Sequence, residues 1–112
     1  AIGAKAYHDY RLLMNSPRWQ RGFNAGARPQ RLLFASTGTK DPQASDILYV
    51  KGLAAPLTVN TLPEATLKAF ADHGEFGAMV HPDGGDADAV LGHVQAAGMG
   101  QLAAKSVAVQ AR

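Results

Sequence analysis

The sequence has no cysteine and no long hydrophobic run, and each absence removes a class of protein or site. Without cysteine, its 112 residues hold no disulfide framework and no thiolate metal site, a composition typical of the reducing cytoplasm. No stretch reaches the roughly 18 consecutive apolar residues of a membrane span. The opening segment AIGAKAYHDYRLLM has no apolar core followed by a cleavage site. We therefore expect no secretory leader, no membrane association and a cytoplasmic location.

The charge balance is mildly basic and by itself gives little indication of a partner. The formal net charge is +2 at pH 7, too small an excess to predict nucleic-acid binding. Hydrophobic residues make up 46% of the chain, enough for one small globular domain. Because the chain begins with Ala1 rather than methionine, we expect it to be a piece of a longer protein.

Apolar residues recur at helical spacing in several segments, which predict helices. The predicted helices and their apolar residues are 2–14 (Ala6, Tyr10, Leu13, Met14), 44–54, 62–73 (Leu67, Phe70, Ala71) and 87–97 (Val90, Leu91, Val94, Ala97). The basic residues 18–31 contain two glycines and one proline, which predict a half-turn followed by a loop.

Start signals precede three of these helices. Asp41 followed by Pro42 is typical of an N-cap with proline at the first helical position. Thr61 stands three residues before Glu64, which is the spacing of a capping box. Asp86 is the expected cap of the last helix.

Two short apolar runs predict β-strands at 31–36 and 57–61. Helices separate them, so we expect an α/β fold with parallel pairing through a right-handed crossover. Two strands alone do not form a stable sheet, and both runs are apolar enough to be covered on two faces. We therefore expect the neighbouring strands to come from outside this chain.

Polar residues follow both strands, at the edge where functional groups of parallel sheets gather. Residues 36–40, with the sequence STGTK, follow the first strand, and Asn60 and Thr61 end the second. Hydroxyls, a glycine, a lysine and a following helix N-terminus form a reasonable site for an anion such as phosphate. Because the segment lacks P-loop spacing, the alternative stays open that the hydroxyls end the strand and Gly38 permits a turn.

Arginines alternate with Trp19 and Phe23 between Arg18 and Arg31. Cations interleaved with aromatic side chains are typical of surfaces that bind nucleic acid. The alternative is that the aromatic rings anchor this segment to a core while the arginines are solvated.

Catalytic and metal-binding patterns are weak. The four histidines, His8, His73, His81 and His93, lack metal-ligand spacing, so we expect surface or capping roles and no metal site. No nucleophile motif surrounds Ser36, and Glu64 and Asp72 lie about two helical turns apart on a helix outside the polar edge. We identify no catalytic residue.

Three motifs, ASTGTKDP, SDILYV and TVNTLPEATL, occur between residues 27 and 74 in the order found in a known family. The chain closely resembles the C-terminal part of bacterial transaldolases, including those fused to phosphoglucose isomerase, over about residues 1–97. The resemblance implies that residues 1–112 are a C-terminal fragment of a (β/α)8 TIM barrel, with strands seven and eight, their helices and a helical tail. Residues 98–112 depart from the family pattern, so we expect a divergent, poorly ordered tail.

The resemblance also implies roles for the residues that follow the first strand. Ser36 matches the family serine that helps to hold the substrate phosphate at the end of strand seven. Many members have a basic residue two positions beyond that serine, where this chain has Gly38, so we assign the cationic role to Lys40. Thr37 and Thr39 are expected to line the same phosphate pocket.

Transaldolases transfer a dihydroxyacetone unit between sugar phosphates through a lysine Schiff base, and the resemblance implies this pentose phosphate pathway reaction for the parent enzyme. The implied partners are sedoheptulose 7-phosphate, fructose 6-phosphate, glyceraldehyde 3-phosphate and erythrose 4-phosphate, with no cofactor and no nucleic acid.

None of Lys5, Lys40, Lys51, Lys68 and Lys105 matches the family's catalytic position. We therefore expect this fragment alone to be inactive, and its uncovered strands predict self-association. The alternatives are a small basic module that binds nucleic acid and an assembly module that completes a barrel with another chain.

Overall fold

The computed structural model of this chain describes residues 1–98, and the tail expected at 98–112 lies outside these residues except for Gly98. The described elements are α1 (Ile2–Met14), α2 (Pro17–Asn24), β1 (Leu32–Phe34), α3 (Leu48–Gly52), β2 (Thr58–Asn60), α4 (Glu64–His73) and α5 (Ala87–Ala96). The α/β class is therefore confirmed. Among the helices of residues 1–98, none is both long and apolar enough to cross a membrane.

The two strands pair in parallel, as predicted. Phe34 lies opposite Asn60 in the register, and β1 and β2 form a two-stranded sheet. Both strands are shorter than the predicted 31–36 and 57–61 because flanking residues leave the extended conformation. Ser36, with φ of 57°, and Leu57, with φ of 61°, lie in the left-handed region, where a strand cannot continue.

The α2 helix corrects the prediction of a half-turn and loop over 18–31. Its N-cap is Ser16, whose hydroxyl accepts a hydrogen bond from the Trp19 N–H at 3.2 Å, and Pro17 occupies the first helical position. This start signal offsets the low helix propensity of Gly22 within the helix. The chain leaves the helix at Gly26, which has a φ of 99°.

The α3 helix is half as long as predicted, because Asp41 and Pro42 do not begin a helix. The Asp41 carboxylate accepts a hydrogen bond from the Gln43 N–H at 2.9 Å, and the Asp41 carbonyl accepts one from the Ala44 N–H at 3.2 Å. These contacts form a turn closed by an aspartate side chain. The prediction of a helix N-terminus directly after residues 36–40 was therefore wrong, since α3 starts at Leu48.

The predicted capping box of α4 was wrong, whereas the predicted N-cap position of α5 is confirmed. Pro63 occupies the N-cap position of α4, so Thr61 and Glu64 form no capping box. The Thr61 hydroxyl instead lies 3.5 Å from the Phe34 carbonyl oxygen. Asp86 does occupy the N-cap position of α5, but its side chain makes no capping hydrogen bond.

The core is small and lies where α1 packs against β1, α2 and α5. The buried apolar residues within 1–98 are Tyr7, Phe34, Ile47 and Ala87. Leu13 and Leu67, both predicted to lie on apolar helix faces, are 57% and 53% exposed. Parts of the apolar helix faces predicted from periodicity are therefore not covered by the described residues of this chain.

Thr37 joins the end of β1 to the end of β2. Its side chain is only 2% exposed, and its hydroxyl donates to Asn60 Oδ1 at 2.7 Å, with the Thr61 carbonyl oxygen 3.1 Å away. The Thr61 N–H donates to the Phe34 carbonyl at 2.9 Å. These bonds continue the contact between the strands beyond their last paired residues.

His73, the last residue of α4, joins that helix to the segment before α3. Its Nε2 lies 2.8 Å from Asp46 Oδ1, and its Nδ1 lies 3.2 Å from Asp72 Oδ2. These carboxylates, with the Asp46 hydrogen bond as the larger cause, raise the pKa of His73 above its ordinary value. Protonated His73 therefore holds α4 against the turn that precedes α3.

Replacing Thr37 by valine keeps a similar shape but removes the donor. The acceptors on Asn60 and Thr61, at a partly buried contact, then lose this donor, so we expect the free energy of unfolding to fall by about 1–2 kcal/mol. Urea titration followed by circular dichroism at one protein concentration measures this loss. In the matched control Thr61→Val, the residue is exposed and the contact of its hydroxyl with the Phe34 carbonyl oxygen is long, at 3.5 Å, so we expect a change within about 0.5 kcal/mol. Equal losses would contradict the role of Thr37.

The His73 ion pair gives a stabilisation that depends on pH. This stabilisation is fully present at pH values below 6.5, the ordinary pKa of histidine. It is lost as the pH rises through the raised pKa of His73 in the folded chain. We expect Asp46→Asn to lower the His73 pKa in an NMR titration of its ring. Asp83→Asn, the same change at a carboxylate that contacts His81, should leave the His73 pKa unaltered. A His73 pKa unaffected by Asp46→Asn would contradict this contact.

Candidate functional site

A cavity of about 430 Å³ lies between the loop that follows β1 and the α3 helix. Three of the four residues predicted to bind phosphate, Ser36, Thr39 and Lys40, line it. Tyr49, from α3, also lines the cavity, and sequence reasoning missed it because the run ILYV resembles a buried segment. The loop therefore bounds a concave site rather than only ending the strand.

Ser36 is held in a strained backbone conformation at the edge of this cavity. Its φ of 57° costs a residue other than glycine about 1–2 kcal/mol. Such outliers persist where the surroundings fix them, and they cluster at ligand-binding sites. The adjacent Thr37, tied to β2, is the contact that fixes this turn.

Gly38 is needed for close packing. It is absent from the residues with positive φ, so it does not serve the turn through a left-handed conformation. A Cβ atom at this position would lie 3.2 Å from Pro63 Cγ and 3.5 Å from the Thr66 hydroxyl at the start of α4. A larger residue would therefore push the loop away from α4 and displace the residues that line the cavity.

Thr39 and Lys40 supply polar groups that the described part of the chain leaves without partners. The Thr39 hydroxyl oxygen is buried and has no hydrogen-bond partner within residues 1–98. Lys40 is exposed and forms none of the ion pairs found in that range. Buried polar atoms normally have partners, so the Thr39 hydroxyl is an exception within residues 1–98.

Two features of the cavity differ from the anion site predicted from sequence. Thr37 does not line it, because its hydroxyl is directed to Asn60 and Thr61. Asp41 lines it together with Lys40, so the local charge is mixed. No helix N-terminus begins at Asp41, and the attraction for an anion therefore depends on Lys40 and the hydroxyls.

The other lysines are poorly suited to attack a carbonyl group. Lys5 lies 3.1 Å from Asp9 and 3.6 Å from Asp88, and the hydrogen bond with Asp9 is the main cause that raises the pKa of Lys5. A Schiff-base lysine needs the opposite shift. Lys51 and Lys68 pair with glutamates, and Lys105 lies outside the described residues.

His8, His81 and His93 each contact an oxygen atom of the chain. His8 lies 3.2 Å from the Pro82 carbonyl oxygen, His81 lies 2.6 Å from Asp83, and His93 lies 2.9 Å from the Ala89 carbonyl oxygen. Across residues 1–98, no group of three or more histidine, aspartate or glutamate side chains is arranged to hold a metal ion.

Comparison with known proteins gives a consistent family. Residues 2–110 match the family model described as transaldolase/fructose-6-phosphate aldolase. A transaldolase of Parafrankia sp. is 54% identical over 95 residues, which cover 84% of this chain and 26% of the relative. For a transaldolase of Thermobifida fusca, identity is 49% over 104 residues, covering 93% and 26%. Transaldolase 2 of Nostoc punctiforme is 53% identical over 68 residues, covering 61% and 18%.

These matches confirm the resemblance to bacterial transaldolases that the motifs indicated. The chain spans about a quarter or less of the length of these curated relatives. The family match includes both parallel strands and the cavity-lining loop that follows β1. Because this match extends over nearly the whole sequence, the chain belongs to the transaldolase/fructose-6-phosphate aldolase family.

Proposed function

We propose that this chain supplies strands seven and eight of a transaldolase (β/α)8 barrel, as a C-terminal segment of that domain. The parallel pairing of β1 and β2, with helices between and after them, supports this placement. Two strands are a quarter of an eight-stranded barrel, which agrees with the 26% of the Parafrankia relative that the match covers.

Within that barrel, we propose that Ser36, Thr39 and Lys40 bind the phosphate of a sugar phosphate. The observation that carries this proposal is their meeting at one cavity, where the buried Thr39 hydroxyl lacks a partner among residues 1–98. A phosphate oxygen accepts hydrogen bonds from hydroxyls and from an ammonium group. Thr37 takes a different role, which is to position this loop against β2.

The reaction proposed for the parent enzyme is the transfer of a dihydroxyacetone unit. A lysine amine condenses with the ketose carbonyl and releases water, and the carbon–carbon bond of the resulting imine breaks to free an aldose phosphate. The retained three-carbon unit then adds to an acceptor aldehyde, and water releases the product. The lysine belongs to another part of the barrel, while this chain holds a phosphate and so fixes the distance from phosphate to carbonyl.

Exposed apolar side chains support the proposal that neighbouring elements are missing. Phe76, Met79 and the strand residue Leu33 are 93%, 64% and 51% exposed. Apolar surface of this extent marks an interface with other protein. We infer that the rest of the barrel covers it in the parent enzyme, in the cytoplasm, and that the isolated chain self-associates.

The isolated chain is expected to transfer no detectable three-carbon unit from sedoheptulose 7-phosphate to glyceraldehyde 3-phosphate. Borohydride should trap no sugar adduct on it, because none of its lysines matches the family's catalytic position and Lys5, Lys51 and Lys68 are also held by carboxylates. Mass spectrometry of the treated chain measures the adduct, with the Parafrankia transaldolase as the positive control. A trapped adduct on this chain would overturn the assignment of the nucleophile to another segment.

The phosphate role is tested in a chimaera in which this chain replaces the matching region of the Parafrankia transaldolase. We expect Ser36→Ala and Lys40→Met each to raise KM for fructose 6-phosphate by about tenfold, since each removes a charge-assisted hydrogen bond. Lys51→Met is the matched control, because Lys51 pairs with Glu75 outside this cavity. If all three variants changed KM equally, the proposed phosphate contacts would be wrong.

A further inference from the structure

A second groove, of about 340 Å³, lies at the opposite end of the strands from the Ser36 loop. Its walls are the C-terminal half of α1, one face of α2, and residues that precede the two strands. Arg31 comes directly before β1 and Leu57 directly before β2, and both line the groove. Because residues 36–40 follow β1, this groove is a different surface from the proposed sugar-phosphate site.

Aromatic side chains form much of the groove. Tyr10 from α1 and Trp19 and Phe23 from α2 all line it. Trp19 and Phe23 are four residues apart and therefore share one side of their helix. Phe23 is 51% exposed, so flat apolar surface is open to a ligand.

The charge around the groove is of one sign. Residues 10–31 contain five arginines and no lysine, aspartate or glutamate. Arg11 and Arg31 line the groove itself, and neither forms an ion pair with any carboxylate in residues 1–98. The guanidinium groups of Arg11 and Arg31 therefore lie beside aromatic rings without a carboxylate partner from residues 1–98. Buried charged groups usually have such a partner.

The junction between α1 and α2 holds these groups in place. The Ser16 hydroxyl accepts from the Trp19 N–H at 3.2 Å and donates to the Leu13 carbonyl at 2.7 Å. The Gln20 amide donates to the Met14 carbonyl at 2.7 Å. These three bonds join the start of α2 to the end of α1, so the groove is preformed rather than assembled by a ligand.

We propose that this groove binds a nucleoside monophosphate, with its base stacked on the aromatic side chains and its phosphate held by Arg11 and Arg31. A planar base suits exposed aromatic rings, and guanidinium groups bind phosphate through paired hydrogen bonds. The groove therefore suits a ligand that has both a flat ring and an anionic group. An aliphatic ligand lacks the ring, and inorganic phosphate lacks it as well. This inference does not rest on the sugar-phosphate proposal.

The placement of the remaining arginines favours a single nucleotide over a nucleic-acid strand. Helical residues turn by about 100° each, which places Arg18 and Arg21 on the side of α2 away from Trp19 and Phe23. Neither Arg18 nor Arg21 lines the groove. The cations therefore do not continue the groove into the long basic track that a strand needs.

Trp19 is the one tryptophan of the 112 residues, so its fluorescence reports on this groove directly. We expect adenosine monophosphate to quench it saturably, with adenosine, inorganic phosphate and fructose 6-phosphate binding about tenfold more weakly or worse, since each lacks the anion or the flat ring. Equal binding of fructose 6-phosphate would overturn the role of the base. Tighter binding of a short single-stranded oligonucleotide would show a strand-binding surface and also overturn the proposal.

Two double variants separate the groove from general electrostatic attraction, because each removes two arginines. Arg11→Met with Arg31→Met should weaken adenosine monophosphate binding about tenfold, whereas Arg18→Met with Arg21→Met should leave it within about twofold. Equal weakening by the two variants would contradict a specific site. Circular dichroism checks folding, and in the unaltered chain the NMR shift of the Trp19 indole N–H on ligand addition gives a second readout. An unshifted indole signal at saturating nucleotide would also overturn the proposal.

Discussion

The parallel pairing of β1 and β2 is the constraint on which the rest of the structure depends. Because both strands run in the same direction, the loops that follow them emerge at one edge, and Thr37 can reach Asn60 and Thr61 there. That contact holds Ser36 in its left-handed conformation. The same direction places Arg31 and Leu57 together at the opposite edge, so one pairing produces two separate concave surfaces.

The second consequence of this pairing is incompleteness. A parallel sheet is stable when several strands are covered on both faces, and here only Phe34 among the strand residues is buried. The exposed side chains of Leu33 and Val59 belong to the same two strands. The proposed barrel accounts for this surface, since strands flank every strand in a closed barrel and helices cover its outside.

Sequence reasoning predicted the class of fold, the parallel strands and the polar loop that follows β1, because apolar runs separated by helical patterns admit few arrangements. It failed at helix starts. Asp41–Pro42 begins a turn in this chain and begins helices in others, since the same carboxylate can accept from a nearby N–H in both cases. Ser16 and Pro17 do begin a helix, whereas the two glycines and the proline within residues 18–31 predicted a loop.

Packing between distant segments explains the other differences. The closeness of Gly38 to Pro63 and Thr66 follows from tertiary structure, so the glycine itself is the one sign of it in the motif. Thr37 and Thr39 look equivalent in the motif STGTK, but one hydroxyl turns to Asn60 and the other is buried without a partner in residues 1–98. Only the path of the loop against β2 separates a positioning residue from a proposed ligand contact.

The central claim, that β1 and β2 belong inside a larger barrel, is tested most directly by hydrogen exchange. This chain is mixed with the separately expressed remainder of the Parafrankia transaldolase, and amide exchange is measured across residues 32–34 and 58–60. The account predicts a stoichiometric complex in which the amides of both strands exchange much more slowly, because new neighbours cover the open sheet. Unchanged exchange in both strands, with the two chains remaining separate, would contradict it.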